Sequence, residues 1–197
     1  MDNIYAIIPV TTFKNAKTRL SPFLSEKERE KLLKVMLQDV TDTLKKYVDK
    51  IFVISRDEDV LSYAESLNVN TILENENSNL NKALTQAMKL CKGKTKRIII
   101  VPSKGGGTNM IIMKPMAIRT RFEGFSYEEH LKAAEKKNLN PQVHDSFFMA
   151  LDVNTAEDLG EIMIHGKKTH TRQYLKEFKV NVESHRGIER LKVTRDD

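Results

Sequence analysis

Hydrophobic residues in this chain occur in two patterns that alternate along the sequence. Short apolar runs at residues 4–9, 51–55 and 97–101 are typical of buried strands, because a strand covered on both faces carries few polar side chains. Between them, apolar residues recur every three or four positions, as in residues 32–40, which is the spacing of an amphipathic helix. This alternation predicts the α/β class, with a mostly parallel, Rossmann-like sheet in a three-layer α/β/α arrangement.

Polar residues mark where several helices begin. Ser25 and Glu28 have the spacing of a capping box, in which each side chain accepts a backbone N–H of the other residue. Ser126 begins the same pattern, which predicts a second capped helix. Thr155 is expected to cap a short helix through residue 164. Residues 142–152, between these two helices, are expected to be mostly extended.

Length and charge indicate how the chain is organised. Its 197 residues suit one α/β domain, which we place at residues 1–165, followed by a basic extension at residues 166–197. The extension carries nine Lys and Arg residues against five Asp and Glu, which accounts for +4 of the net charge of +6. Because it lacks interleaved aromatic residues for base stacking, a solvated or dimer-forming role is favoured over nucleic-acid binding.

The cysteine content and the apolar runs favour a cytoplasmic protein. No apolar run is long enough to span a membrane, and the first ten residues lack the basic region and apolar core of a signal peptide. The single cysteine, Cys91, cannot form an internal disulfide, which fits a reducing compartment. We expect its thiol to be buried and inert rather than nucleophilic.

Three cations follow the first predicted strand. Lys14, Lys17 and Arg19 lie within six residues, in the loop that begins where the run 4–9 ends. Ligands of open α/β sheets bind beyond the carboxyl ends of the strands, so this loop lies where a substrate is expected. Clustered positive charge suits a triphosphate that loses pyrophosphate. A solvated basic loop is the alternative, but the position directly after a strand favours binding.

The sequence Lys104-Gly105-Gly106-Gly107-Thr108 lies between two predicted strands. Glycines leave backbone N–H groups accessible to an anion, and Thr108 adds a hydroxyl donor. The sequence is not a Walker A loop, because no Gly-Lys-Ser/Thr precedes a helix. A hairpin turn is the alternative interpretation of three consecutive glycines.

Ser126 and Asp152 each have a structural and a functional interpretation. A serine at a helix N-terminus caps backbone N–H groups, but the same N–H groups can bind a phosphate or carboxylate, and the two roles do not exclude each other. His130 lies one turn into that helix and is expected to be packed or hydrogen-bonded rather than catalytic. Asp152 ends an extended run just before a capped helix, where a carboxylate suits Mg²⁺.

Taken together and in order, these motifs resemble those of the archaeal 2-phospho-L-lactate guanylyltransferases of coenzyme F420 biosynthesis, the CofC family. The resemblance covers roughly residues 4–164. The segments that carry it are IIPVTTFKNAKTRLSP, MLQDV, LNKAL, VPS, KGGGTN, RFEGFSYEEHL and ALDVNTAEDL. It implies a nucleotide-diphospho-sugar-transferase-like fold. It also implies that GTP and 2-phospho-L-lactate react, with Mg²⁺, to give lactyl-2-diphospho-5′-guanosine and pyrophosphate.

The resemblance implies three groups of site residues, matched by position. The catalytic cations that would handle the triphosphate are Lys14, Lys17 and Arg19. The substrate-binding residues, for the nucleoside and for the acceptor phosphate, are Asn81, Thr108, Gly124 and Ser126. The magnesium ligand is Asp152.

One departure from the family pattern lies beside the glycine loop. The family has an acidic residue after the Pro-Ser that ends its VPS-like strand, and then a helix and a strand before the glycines. Here Ser103 is followed at once by Lys104. A metal-binding carboxylate and a βα piece are therefore absent, which should damage folding and catalysis. Either the sequence joins the two flanks of a longer chain, or a genuine deletion has made this an inactive relative.

Three other functions fit parts of the pattern. A related nucleotidyltransferase could use phosphoenolpyruvate or 3-phosphoglycerate, which no motif distinguishes from 2-phospholactate. A molybdenum-cofactor guanylyltransferase is expected to have a glycine-rich first loop, whereas residues 9–22 contain no glycine. A non-catalytic protein that binds nucleotides or nucleic acid would fit the basic extension and the missing carboxylate. The prediction that we carry forward is a homodimeric guanylyltransferase with small-molecule substrates and no membrane or nucleic-acid partner.

Overall fold

Strands and helices alternate along the chain in the computed structural model. It describes residues 3–91, 97–184 and 191–195, and the statements below concern those residues. They fall into two units. Unit 1 combines the residues up to 10 with residues 45–152, and unit 2 combines residues 11–44 with the residues from 153 onward. Each unit is therefore assembled from two separate stretches of sequence.

Unit 1 contains a parallel sheet with the strand order β1-β2-β3. Its strands are β1 (Tyr5–Pro9), β2 (Lys50–Ser55) and β3 (Asn70–Leu73). Its helices are α2 (Glu58–Ser66), which connects β2 to β3, and α3 (Leu80–Met88), which follows β3. Ile54 of the central strand packs with Ile72 and with two alanines of α3, so the helix covers one face of the sheet.

A second sheet of unit 1 has the order β5-β4-β6 and carries the glycine loop. Its strands are β4 (Ile99–Pro102), β5 (Thr108–Ile112) and β6 (Gln142–Val143). Its helices are α4 (Ser126–Glu135) and α5 (Phe147–Ala150). Strand β4 pairs antiparallel with β5 and parallel with β6. Strands β4 and β5 therefore form a hairpin whose loop contains the Ser103–Lys104 junction.

Unit 2 has an apolar core enclosed by three helices and a hairpin. The helices are α1 (Glu26–Leu44), α6 (Ala156–His165) and α7 (His170–Glu177), and the hairpin strands are β7 (Val180–Ser184) and β8 (Leu191–Arg195). The buried core residues are Leu20, Leu24, Leu32, Val153, Leu159, Tyr174, Leu175 and Val180. The hairpin approaches α6 at Gly160, where a Cβ would lie 2.8 Å from Val193 Cγ2. A larger residue at this position would push the two elements apart.

A carboxylate of α1 holds the start of α7. Asp39 accepts the N–H groups of His170 and Thr171 at 2.7 and 2.9 Å, and the Thr171 hydroxyl at 2.6 Å. The first N–H groups of a helix have no partner within the helix, so Asp39 satisfies two of them. The chain beyond residue 166 is therefore part of unit 2, and the observed units do not divide at the predicted boundary of residue 165.

Several sequence predictions are confirmed and others are wrong. The α/β class, the parallel pairing of the first strands, the capping box at Ser25 and the cap at Thr155 are all present. The strands form two three-stranded sheets and a hairpin rather than one continuous sheet. Residues 142–152 are not mostly extended, because they contain only a two-residue strand and helix α5. The apolar run in α5 is too short for its spacing to distinguish a helix from a strand.

The described helices include none with the length and apolar character needed to cross a bilayer.

An ion pair joins α1 to β8 within unit 2. Arg195 donates to both carboxylate oxygens of Glu28, at 2.7 and 3.1 Å, and the Ser25 N–H donates to the same carboxylate at 2.8 Å. The pKa of Glu28 is lowered from the ordinary value of 4.5 to about 2, and the hydrogen bonds from Arg195 are the largest cause. Desolvation by burial raises the pKa in opposition, and the hydrogen bonds from Ser25 lower it further. A carboxyl group whose pKa falls on folding stabilises the fold above its unfolded pKa.

We therefore expect Glu28→Gln to reduce the free energy of unfolding at neutral pH by at most about 3 kcal/mol. The wild-type contribution is fully present above about pH 4.5 and is lost as the pH falls from there towards about 2. The difference between the two proteins should accordingly shrink across this window, as measured by urea unfolding at a series of pH values. Glu26→Gln, at an exposed position of the same helix turn, is the control. A difference that does not change with pH would contradict the prediction.

Candidate functional site

The loop that follows β1 is fixed to α1 by buried residues. Phe13 and Ala16 are almost completely buried, and the Arg29 side chain donates to the Ala16 carbonyl oxygen at 3.2 Å. Two of the predicted cations, Lys14 and Arg19, are exposed. The loop thus has an anchored apolar side, while its charged residues remain accessible to solvent.

Lys17 and Arg19 line a cleft in unit 2. Lys17 has a left-handed backbone conformation, with φ 48° and ψ 44°, which leads the chain into a 3-10 turn at Thr18–Leu20. The cleft has a volume of about 320 Å³. Its polar lining consists of Thr11, Lys17, Thr18, Arg19 and Asn154, and Lys14 lies outside that lining. Two cations, two hydroxyls and an amide are suitable groups for binding a polyphosphate.

Asn154 is placed in this cleft by the capping box of α6. The Asp158 carboxylate accepts the backbone N–H groups of Asn154 and Thr155 at 2.9 and 2.8 Å, and the Thr155 hydroxyl at 2.9 Å. Asp158 is buried, so these donors compensate for the desolvation of its charge. Asp158 therefore acts structurally, as the partner of Thr155 in the capping box.

The conformation of the glycine loop of unit 1 depends on the absence of a Cβ at its glycines. Ser103 N–H donates to the Gly107 carbonyl oxygen at 2.9 Å, which closes the loop. Gly105 and Gly106 have φ values of 76° and 80°, in the left-handed region that favours glycine. A Cβ on Gly107 would lie 2.4 Å from Ser103 Oγ, and one on Gly106 would lie 2.7 Å from Phe125 Cδ1. Glycine is thus favoured by backbone conformation at Gly105 and Gly106, and by the nearby side chains at Gly106 and Gly107.

Thr108, Ser126 and His130 form a buried polar cluster beside this loop. Thr108 Oγ1 lies 3.0 Å from His130 Nδ1 and 3.3 Å from Ser126 Oγ. Arg121 N–H donates to His130 Nε2 at 2.9 Å. Burial lowers the pKa of His130 and nearby Glu129 partly opposes this effect, so the imidazole is neutral at pH 7. His130 is thus packed and hydrogen-bonded, as expected.

The predicted capping role of Ser126 was wrong. Ser126 is the first residue of α4, and its N-cap position is occupied by Phe125, which has no side-chain cap. The Ser126 hydroxyl instead donates to Thr108. The reason is tertiary: the cluster with β5 offers the hydroxyl a buried partner, which competes with the local capping bond.

Asn81 braces the segment that leads into α4. Its Oδ1 accepts the Phe122 N–H at 2.9 Å, and its Nδ2 donates to the Glu123 carboxylate at 3.3 Å. Gly124 follows with φ 55° and no atom within 4 Å of the position that a Cβ would occupy. The structure therefore brings Asn81, Gly124 and Ser126 to one part of unit 1, with both ends of the Asn81 amide engaged by the protein.

Asp152 is exposed at the end of the segment that follows α5. Asn109, next to Thr108, donates to the carbonyl oxygens of Met149 and Leu151 at 2.8 and 3.3 Å, which fixes the chain just before Asp152. Within the described ranges, no group of three or more His, Cys, Asp or Glu side chains could hold a metal ion. The side chains of the described residues therefore do not form a metal centre by themselves. A single carboxylate can serve Mg²⁺ only when phosphate oxygens and water complete the coordination.

Sequence reasoning missed three residues that shape these sites. Ser103 fills the space left by Gly107, Asn109 fixes the segment before Asp152, and Asn154 lines the cation cleft. Each lies beside a residue that a motif did identify. Their position next to a motif was therefore the only sequence feature that could have identified these three residues. The contacts that give them their roles are mostly with residues far away in the sequence.

The fold is that of nucleotide-diphospho-sugar transferases. A crystal structure of a candidate nucleotide-diphospho-sugar transferase from Desulfovibrio desulfuricans matches with a TM-score of 0.70. The match covers 91% of this chain and 96% of that chain, at 15% sequence identity. At such an identity the likeness shows the fold alone.

Closer relatives identify the family within this class. A family model described as guanylyl transferase CofC like matches residues 4–101 and 89–196. The chain is 65% identical to a protein of Methanobrevibacter smithii and 54% identical to one of Methanobrevibacter ruminantium, both named 2-phospho-L-lactate guanylyltransferase. The first alignment covers 99% of both chains and the second covers 100% of both. The chain belongs to the CofC family of guanylyl transferases.

The alignments also reveal an internal difference in length. The alignment with the M. smithii protein runs over 222 positions, whereas this chain has 197 residues, so at least 25 positions of the relative have no counterpart here. The family model matches in two segments that overlap at residues 89–101, just before the Ser103–Lys104 junction. The family model thus divides into two matches close to the junction where the sequence departs from the family pattern.

The close contact at Gly107 gives a prediction about stability. Gly107→Ala should lower the free energy of unfolding by about 1 kcal/mol, because the new methyl group forces the Ser103 hydroxyl into another rotamer. Ser103→Ala removes that hydroxyl and leaves the nearest Ser103 atom at 3.7 Å, an ordinary contact. The double variant should therefore lose less stability than the sum of the single variants. A double-mutant cycle by urea unfolding measures this coupling, and additive effects would rule out the proposed contact.

Proposed function

We propose that this protein transfers GMP from GTP to 2-phospho-L-lactate, giving lactyl-2-diphospho-5′-guanosine and pyrophosphate in coenzyme F420 biosynthesis. The main support is membership of the CofC family, with full-length relatives that carry the name of this activity. The structure adds a cationic cleft in unit 2 and a cluster of hydroxyls beside a glycine loop in unit 1.

Lys17 and Arg19 are proposed to bind the triphosphate of GTP. Both line the cleft of unit 2, together with the Thr11 and Thr18 hydroxyls. Charge on the triphosphate moves towards the leaving pyrophosphate during the reaction, and nearby cations stabilise this charge without a proton transfer. Lys14 lies outside the cleft lining, so we assign it a role in attracting the nucleotide.

Thr108, Ser126 and the backbone near Gly124 are proposed to hold the phosphate of the acceptor. The hydroxyls of Thr108 and Ser126 lie 3.3 Å apart, and the first turn of α4 is free of a side-chain cap. Uncapped N–H groups and hydroxyls are donors of the kind that bind phosphate. Asn81 is proposed to act on the nucleoside, either directly or through the segment that it braces.

Asp152 is proposed to contribute one ligand to Mg²⁺ that accompanies the nucleotide. When bound, the ion would neutralise phosphate charge and polarise the reacting phosphorus. With one protein carboxylate in this position, most of its ligands would be phosphate oxygens and water.

The reaction needs no nucleophile from the protein. A phosphate oxygen of the acceptor attacks the α-phosphorus of GTP, a new P–O bond forms, and the bond to the β-phosphate breaks with release of pyrophosphate. Cys91 is buried, and burial raises the pKa of its thiol, so this side chain is unsuited to attack. The protein supplies binding, orientation and charge stabilisation.

A non-catalytic nucleotide-binding protein is the second candidate. It is favoured by the 25 or more positions of the M. smithii relative that have no counterpart here and by the lack of a metal-ligand cluster among the described residues. Incubation with GTP, Mg²⁺ and 2-phospho-L-lactate, followed by measurement of pyrophosphate, separates the two. Release above a control without acceptor supports the transferase. Nucleotide binding without release supports the second candidate, and release with phosphoenolpyruvate instead would identify a different acceptor.

A homodimer and a cytoplasmic location remain proposals that rest on the family resemblance and on the single cysteine. Light scattering of the purified protein measures the oligomeric state.

Arg19→Ala should lower kcat for pyrophosphate release by roughly 10²-fold, because a cation that stabilises the developing charge is lost. Lys27→Ala, at an exposed position on α1 outside the cleft lining, removes the same formal charge and is the matched control. Steady-state kinetics with varied GTP measure both. If the two variants lose activity equally, the effect belongs to the net charge of the protein and not to the cleft.

Asp152→Asn should abolish turnover and leave the melting temperature almost unchanged, because the side chain is exposed and the substitution preserves its size. Thermal unfolding and pyrophosphate release measure the two effects. A large fall in melting temperature would show that Asp152 has a structural role instead.

A further inference from the structure

His130 is fully buried, and both of its ring nitrogens are engaged. Nε2 faces the backbone N–H of Arg121 at 2.9 Å, and Nδ1 faces the Thr108 hydroxyl at 3.0 Å. The Phe122 ring packs edge-on against the imidazole, with centroids 4.8 Å apart. The ring is therefore held between β5 and the segment that precedes α4.

These contacts determine the tautomer of the imidazole. A backbone N–H can only donate, so Nε2 must accept and cannot carry the proton of a neutral ring. The proton is then on Nδ1, which makes Nδ1 a donor to Thr108 Oγ1. If the proton were on Nε2, the Arg121 N–H would lose its partner.

This tautomer leaves one hydroxyl hydrogen without an acceptor. Thr108 and Ser126 have two hydroxyl hydrogens, and one of them forms the 3.3 Å bond between the two side chains. The other cannot go to Nδ1, which is already a donor. Within the part of the chain that the structure describes, neither hydroxyl has a further acceptor. The pair is therefore a net donor, as binding of an anion requires.

We infer that His130 is a positioning residue for the acceptor: its fixed tautomer turns the Thr108–Ser126 hydroxyl pair outward as a hydrogen-bond donor to the acceptor phosphate. This inference rests on the proposed function for the identity of the acceptor. His130 itself does not touch substrate. It acts through Thr108: if the ring proton were on Nε2, the Thr108 hydroxyl would donate to Nδ1 instead of to the phosphate.

The neighbouring glycines are consistent with a phosphate at this position. Ser126 Oγ lies 4.0 Å from the position that a Cβ on Gly107 would occupy. The hydroxyl pair and the glycine loop are therefore adjacent parts of the same surface in unit 1. An oxygen of the acceptor that accepts the spare hydrogen would lie near the loop that lacks side chains.

Two substitutions at His130 separate the functions of its nitrogens. Asn places an amide N–H₂ near the position of Nδ1 and can still donate to Thr108. Gln places an amide oxygen near the position of Nε2 and can still accept from Arg121, but it has no donor at the δ position. Both keep a polar side chain in the buried site, so a merely structural role would affect them similarly.

The test measures binding of 2-phospho-L-lactate and of inorganic phosphate by calorimetry, together with KM for both substrates and the melting temperature. H130Q should weaken binding of both phosphate probes roughly tenfold or more, because Thr108 loses the donor that orients its hydroxyl towards the charged phosphate. KM for GTP should change little, and H130N should restore most of the affinity. His165→Gln, at an exposed histidine of unit 2, is the control and should bind like wild type.

Equal losses in H130N and H130Q, or no loss in either, would overturn the inference. So would phosphate binding too weak to measure in the wild-type protein. If both His130 variants fail to fold, Thr108→Val and Thr108→Ser take their place, with loss of phosphate binding expected for T108V and recovery for T108S. Wild-type protein that binds inorganic phosphate in the predicted pattern but releases no pyrophosphate would refute the proposed function and leave the role of His130 standing.

Discussion

The absence of side chains at Gly106 and Gly107 determines how the polar groups of unit 1 are arranged. A Cβ on Gly106 would lie 2.7 Å from Phe125 Cδ1, and one on Gly107 would lie 2.4 Å from Ser103 Oγ. The loop between β4 and β5 therefore approaches the start of α4 without displacing either side chain when both residues are glycine. That approach brings Ser126 to Thr108 and removes the serine from its local capping bond. A steric constraint on the backbone thus creates a hydroxyl pair that no local signal encodes.

Local and periodic features were predictable, and long-range features were not. The capping box at Ser25 and the cap at Thr155 form within four residues, so the local sequence was sufficient to identify them. Ser126 has the same spacing, but a partner from β5 prevails there. The three cations were identified from their position after β1, and two of them line the cleft. Pairing between strands, the division into two units and the contact between Asp39 and α7 depend on residues far apart in sequence. Hydrophobic spacing gives no information about such pairs.

The two proposed substrate-binding regions, one in each unit, differ in their chemistry. Unit 2 presents cations, which suit a triphosphate whose charge shifts as pyrophosphate departs. Unit 1 presents hydroxyls and backbone N–H groups, which are directional donors and suit a phosphate that must keep one oxygen oriented for attack. A cation would bind that phosphate strongly but would also lower the nucleophilicity of its oxygens. Neutral donors of fixed direction orient the acceptor phosphate and withdraw less charge from its oxygens. A neutral His130 keeps the Thr108–Ser126 site free of a positive charge.

The departure from the family pattern at Ser103–Lys104 would affect the proposed magnesium site more than the other proposed groups. The cations and the hydroxyls lie in residues that remain on either side of the Ser103–Lys104 junction, whereas the carboxylate that the family resemblance places after Ser103 is absent. Asp152 alone offers too few ligands to hold Mg²⁺ in the absence of phosphate. Metal and nucleotide would therefore bind as coupled ligands, each raising the affinity for the other by the same factor. In a relative with two carboxylates the protein itself would hold more of the ion, and this mutual dependence would be weaker.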